Sequence, residues 1–256
     1  MLPRIGPFRS YWLMIIIGIV LCFVMCAVLC DKLKINKKFK RFFLIATVFV
    51  IIFGFGSASL FQSLYEYIEN PTRGFVISGN ITFFGGLIGG TLTFILFYFW
   101  IGRKYETKFI DILSIIAVMI TIAHAFGRIG CFCAGCCYGK ETSSALGVQF
   151  PFLDHKVFPT QLFESAFLFI LFAVLLFLIL KYKFKYGLQL YAICYGVFRF
   201  LIEYMRGDPR GSFIPGISPS QFWGLVLIVV GIVTWILMHK VLQKNNNKIQ
   251  EKQNID

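Results

Sequence analysis

Seven long apolar runs, separated by short basic clusters, constrain this chain more than anything else in it. They fall at about 11–30, 42–62, 81–101, 109–127, 160–180, 187–204 and 216–239. Each is close to the roughly 20 residues that a helix needs to cross about 30 Å of hydrocarbon. In lipid the backbone must satisfy its own hydrogen bonds, and a helix does so within one segment. The expected fold is therefore all-α: a polytopic integral membrane protein with seven transmembrane helices. Only 14% of the residues are charged and 58% are apolar, whereas about a quarter of a soluble domain is charged. Nothing in the sequence marks a soluble domain of any size.

The basic clusters orient the spans. Lys32, Lys34, Lys37, Lys38, Lys40 and Arg41 lie between the first and second runs, and Arg103, Lys104 and Lys108 between the third and fourth. Lys181, Lys183 and Lys185 lie between the fifth and sixth, and Lys240, Lys244, Lys248 and Lys252 follow the seventh. With seven spans, all of these fall on one side. Positive charge is retained in the cytoplasm, so the N-terminus is expected outside and the C-terminus in the cytoplasm. A net charge of +13 would suggest nucleic acid in a soluble protein. Here it reads as orientation, with anionic lipid headgroups as a further partner, and no nucleic acid is expected. The opening MLPRIGPFRSYWLM enters the first run with no small-residue cleavage site, so that span reads as retained. Residues 1–240 read as a single seven-helix membrane domain, and 241–256 as a polar cytoplasmic tail without order.

Ionisable groups inside a membrane are costly and face the protein interior or a wet cavity. Arg128 sits at the end of the fourth run. Arg199 and Glu203 lie in the sixth, spaced to share one helix face and to pair, with Tyr195 on that face and Arg206 just beyond. One reading is a structural ion pair. The other is an anion pocket, in which Arg128, Arg199 and Arg206 converge on a phosphate through planar, multi-donor contacts. The paired glycines of FFGGLIGG, among them Gly85 and Gly86, allow close helix approach.

Cys131, Cys133, Cys136 and Cys137 crowd into HAFGRIGCFCAGCCYGK, in the longest connection, roughly 128–159, on the expected outer side. A zinc site with His124 fits poorly, because structural sites usually show two separated pairs. Cys133 and Cys136 have the C-x-x-C spacing of a redox pair, and a disulfide persists in an oxidising compartment. A thiol lining a pocket is the third reading. Cys22, Cys26, Cys30 and Cys194 read as small packing residues.

GRIG at 127–130 followed by AGCCYG at 134–139 resembles the signature loop of the prolipoprotein diacylglyceryl transferase family. IGPFRSYWLM, FFGGLIGG, PTQLFE (Pro159 to Glu164) and YGVFRFLIEYMRGDP resemble further family segments in the same order. The resemblance covers roughly 4–240. It implies a multi-pass protein of the bacterial cytoplasmic membrane with its site toward the outer face. The implied reaction moves the diacylglyceryl group of phosphatidylglycerol to the thiol of a lipobox cysteine in a prolipoprotein signal peptide, without metal or other cofactor. Carried onto this chain, Arg128, Arg199 and Glu203 take catalytic positions. Tyr11, Gly85, Gly86, Gly127, Gly139, Gln161, Tyr195 and Arg206 take substrate-binding positions. The chain departs from the family pattern at Phe84, Cys131, Cys136 and Phe158, where the family has His, Asn, Glu and His. His124, one helical turn before Arg128, stands in as the base. A membrane thiol–disulfide oxidoreductase using Cys133 and Cys136, and a diverged family member with another acceptor, are the alternatives.

Overall fold

In the computed structural model every residue is described except 1–3, 6–7, 78–81, 106, 108, 208–215 and 254–256. The chain is all-α. Its helices are α1 (Ser10–Lys32), α2 (Lys37–Glu69), α3 (Phe83–Trp100), α4 (Phe109–Ala134), α5 (Thr160–Tyr182), α6 (Gly187–Ile202) and α7 (Pro219–Gln253). Two antiparallel pairs of two-residue strands accompany them: β1 (Arg4–Ile5) with β2 (Phe8–Arg9), and β3 (Val148–Gln149) with β4 (Lys156–Val157).

Five helical stretches are long and apolar enough to cross a membrane: Ser10–Lys32, Lys37–Ile68, Phe109–Ala134, Thr160–Tyr182 and Pro219–Lys244. A shorter apolar stretch, Gly85–Trp100, lies in α3. The helix α6 has 16 residues, about 24 Å at 1.5 Å per residue. It gives way to a 3-10 turn, Glu203–Met205, so Glu203 sits past the α-helix into which the apolar run had placed it. At the other end of the chain, α7 continues to Gln253, through the tail expected to lack order.

The chain forms two compact units: residues 1–25 with 113–256, and residues 26–112. In the second unit α2 packs on α3. Ser57 Oγ donates to the Gly85 carbonyl at 2.6 Å, and Thr82 Oγ1 to the Ala58 carbonyl at 3.1 Å. A Cβ on Gly85 would meet Phe61 Cβ and the Ser57 carbonyl at 2.8 Å. Gly85 and Gly86 thus lie against α2, in the close helix approach that small residues permit. Phe39 and Phe43 are buried with Tyr98 at the basic end of this unit. There Lys40 pairs with Asp31 at 2.6 Å.

The first unit holds every other predicted site residue. Its helix α4 runs six residues past Arg128, so Arg128 lies inside the helix and not at the end of a span. GRIG, Cys131 and Cys133 are helical too, and the connection begins only after Ala134. The reason is packing. A Cβ on Gly130 would lie 3.3 Å from Tyr11, and one on Gly18 would lie 3.2 Å from the Ala123 carbonyl, so these glycines let α1 and α4 touch. The helix stops where Gly135 adopts φ +69°. Gly135 N–H donates to the Phe132 carbonyl and Cys136 N–H to the Cys131 carbonyl, both at 3.1 Å. That pair of bonds is a Schellman cap.

Two more contacts set the register of the site. Ser165 Oγ on α5 donates to the Ala125 carbonyl of α4 at 3.0 Å. Between α6 and α7, a Cβ on Gly196 would lie 2.7 Å from the Gly224 carbonyl, and one on Gly224 would lie 3.0 Å from the Gly196 carbonyl. Facing glycines allow the two backbones to meet one turn before Arg199.

Candidate functional site

Glu164 is the centre of the site. It enters from the first turns of α5, with its side chain 1% exposed. Arg128 Nη2 lies 2.9 Å from its Oε1, and Tyr195 O–H donates to the same oxygen at 2.7 Å. Arg199 Nη1 stands 3.8 Å from Oε2. Three helices, α4, α5 and α6, therefore meet at one carboxylate. A buried charge is tolerated when it is paired and hydrogen-bonded, and Glu164 satisfies both conditions.

From Arg199 the charges continue. Its Nη2 is 2.9 Å from Glu203 Oε2 and donates to Ser220 Oγ at 2.7 Å. Glu203 accepts from Ser218 Oγ at 2.9 Å, and Arg206 Nε approaches Oε2 at 3.8 Å. The result is an alternating series, Arg128, Glu164, Arg199, Glu203, Arg206. The i, i+4 pair expected from the sequence is present. Convergence of all three arginines on one carboxylate is not seen among the described residues: Arg128 and Arg199 share Glu164, while Arg206 approaches Glu203. Arg206 is also bridged through its backbone to Gly139. There a Cβ would strike the Met205 carbonyl at 2.6 Å, so position 139 admits only glycine without movement.

His124 lies one turn before Arg128. Its Nδ1 is 3.0 Å from the Tyr191 hydroxyl, and its Nε2 is 3.9 Å from Glu164 Oε1. Its ring stands edge-on to Tyr195, with centroids 4.7 Å apart. Gln161 donates to the Cys136 carbonyl. Gly127 is half-buried on α4, and a Cβ there would reach only Ile15 Cδ1, at 3.9 Å. Tyr11 sits at the start of α1 within electrostatic reach of Arg128, Cys131, Cys136 and Cys137.

Two donors in this network have no acceptor. Arg128 Nε and Arg199 Nη1 are buried and make no hydrogen bond among the described residues. Leaving a buried donor unmade costs about 1–3 kcal/mol, more for a charged group. Both belong to guanidiniums already anchored by carboxylates. They are thus fixed in direction and still able to donate, the arrangement that receives an oxyanion.

All eight cysteines are free thiols. The sulfurs of Cys131, Cys136 and Cys137 lie within 4.8 Å of one another. Cys133 is not among those three. Hydrogen bonds to Cys131 and Cys136, and then the Arg206 guanidinium, hold Cys137 far below the usual thiol range. Hydrogen bonds to Cys131 and Cys137, and then burial, push Cys136 up.

Sequence reasoning missed Glu164, Tyr191, Ser218 and Ser220. Glu164 carried a usable signal, since an ionisable residue inside the fifth apolar run is a site candidate by itself. The two serines carried none, because their role depends on where α7 begins.

Helices able to span a membrane, with a guanidinium–carboxylate series buried among three of them and the shorter α6, define an α-helical membrane protein whose site suits an anionic group. Comparison with known proteins narrows that class. The chain belongs to the prolipoprotein diacylglyceryl transferase family, whose model matches residues 1–237. A protein of Clostridium tetani named phosphatidylglycerol–prolipoprotein diacylglyceryl transferase is 34% identical over 232 residues, 87% of this chain and 90% of its own length. A Clostridium perfringens protein of that name, numbered 2, is 33% identical over 200 residues, 74% of this chain and 76% of its own. One from Rickettsia africae is 31% identical over 242 residues, 89% and 92% of the two lengths.

Proposed function

We propose that this protein transfers the diacylglyceryl group of phosphatidylglycerol to a lipobox cysteine thiol of a prolipoprotein signal peptide. The observation that carries the reading is the pair of orphaned donors, Arg128 Nε and Arg199 Nη1, on guanidiniums held by one buried carboxylate. Two oxygens of a phosphodiester would take both. The names borne by the relatives supply the lipid and the acceptor class.

In this reaction the acceptor thiol loses its proton, a C–S bond forms at the glyceryl carbon, and the C–O bond to phosphate breaks. Glycerol phosphate leaves with added negative charge, and preorganised guanidinium donors stabilise that charge best where water is excluded. Glu164 anchors both arginines, so they need not reorganise as the charge develops. Glu203, Ser218 and Ser220 hold Arg199 from the other side. His124, whose Nε2 lies 3.9 Å from Glu164 Oε1, is the group that takes the thiol proton. Tyr195 fixes Glu164, and Tyr11 and Gln161 border the cysteine turn. Gly85 and Gly86 keep the substrate-binding role that the family resemblance gives them.

Purified protein incubated with phosphatidylglycerol vesicles and a lipobox peptide is expected to yield a peptide heavier by one diacylglyceryl group, with release of glycerol phosphate. Mass spectrometry and phosphate-ester analysis read the two products. An unmodified peptide beside an active family enzyme rejects this acceptor. A labelled product from phosphatidylethanolamine but not phosphatidylglycerol rejects this donor.

All seven helices are proposed to cross the bacterial cytoplasmic membrane, with the N-terminus outside, the C-terminus inside and the site toward the outer face. A reporter fused after α7 that is active only in the cytoplasm is expected to be active. Activity instead of a periplasm-only reporter at that point reverses the orientation.

A further inference from the structure

We propose that Cys131, Cys136 and Cys137 form a binding site for one thiophilic d10 cation of the zinc class, closed on three sides by thiolates. Three independent features of the local chain build it. The Schellman cap at the end of α4 folds Cys136 back over Cys131, through the bond from Cys136 N–H to the Cys131 carbonyl. Cys137 then adopts φ +65°, a left-handed conformation uncommon outside glycine. That turns its sulfur toward the other two. Side chains of α5 lock the turn, since Thr160 Oγ1 donates to the Cys137 carbonyl at 2.9 Å and Gln161 to the Cys136 carbonyl.

The sulfurs are therefore gathered by a fixed backbone and not by chance rotamers. They lie within 4.8 Å of one another. Zinc–sulfur bonds of about 2.3 Å in tetrahedral geometry separate ligand sulfurs by roughly 3.8 Å, so modest side-chain adjustments close the set. Among the described residues no carboxylate or imidazole joins the triplet, and an all-sulfur set selects soft cations over magnesium or calcium. Cys136 is exposed, which gives an ion a way in and leaves a fourth position to water. Binding Zn²⁺ releases to solvent the protons that the three sulfurs still carry and transfers no electrons, leaving a tris-thiolate complex of charge −1. Arg206, already hydrogen-bonded to Cys137, lies beside that charge. The site ties the end of α4 to the segment bridged to Arg206. No step of the transfer reaction is routed through the ion.

The test uses the full-length protein in detergent, reduced and then freed of reductant and metal. Titration with Zn²⁺ against a chromophoric chelator is expected to show one equivalent bound, with proton release to a weakly buffered medium. Co²⁺ in its place is expected to give sulfur-to-metal charge-transfer absorption. Cys136→Ser is expected to weaken zinc binding tenfold or more, and Cys133→Ser to leave it unchanged. Alkylation of the unsubstituted protein, mapped by peptide mass, serves even where a variant fails to fold: zinc is expected to protect residues 131, 136 and 137 but not 133. The proposal is overturned by absence of stoichiometric binding, by binding indifferent to Cys136→Ser, or by protection of Cys133 in place of the triplet.

Discussion

Arg128→Ala is expected to lower kcat for diacylglyceryl transfer by about two to three orders of magnitude, the usual cost of removing one donor aimed at developing negative charge. The fold should persist, because Glu164 keeps Tyr195 at 2.7 Å and Arg199 at 3.8 Å. Arg128→Lys is expected to recover only part of the loss. An ammonium can sit beside Glu164, but it lacks the planar fork that points a second donor elsewhere. Steady-state transfer to a lipobox peptide, with thermal unfolding measured on the same preparations, checks both statements. A folded Arg128→Ala protein within tenfold of the unsubstituted rate would remove the phosphate-gripping role assigned to this guanidinium.

Glu164→Ala is expected to act mainly on stability. Arg128 and Arg199 would then face each other without the carboxylate between them, and breaking a buried pair by removing one partner costs about 3–5 kcal/mol. Glu164→Gln preserves an acceptor for Tyr195 and should fall between the two. Reversible unfolding in mixed micelles is the measurement. An alanine variant within about 1 kcal/mol of the parent would mean that water or lipid already compensates the arginines, and Glu164 would lose its place as the anchor. If the folded fraction of Glu164→Gln keeps a normal KM but a low kcat, the carboxylate acts by orienting the arginines toward the leaving group.

These two residues show how differently the site could be read in advance. Arg128, Arg199 and Glu203 announce themselves, because a charge within an apolar run needs a partner and a reason. Glu164 obeys the same rule, yet it sits near the boundary of the fifth run inside PTQLFE and passed as part of a motif. The end of α4 was misplaced for a related reason. Gly127 and Gly130 look like helix breakers, but against α1 they are contact surface, and the helix stops only at Gly135. The cysteine cluster was visible as a cluster, while its division into a triplet and an outlier was not. Spacing alone favoured Cys133 with Cys136, and the backbone reversal after Ala134 selects Cys131 and Cys137 instead.

By itself the sequence determined that the chain is all-α and built of apolar segments. It also placed basic clusters between those segments and ionisable groups within them. Those properties follow from local hydrophobicity and from the cost of an unsatisfied backbone or charge in hydrocarbon, which each segment carries alone. Only the tertiary structure decided which carboxylate holds which arginine, which two guanidinium donors are left without acceptors, and which three thiols meet. Those outcomes depend on the register of α4, α5, α6 and α7 against one another. Register is set by facing glycines and by single hydroxyl-to-carbonyl bonds between residues as far apart in the chain as Ala125 and Ser165.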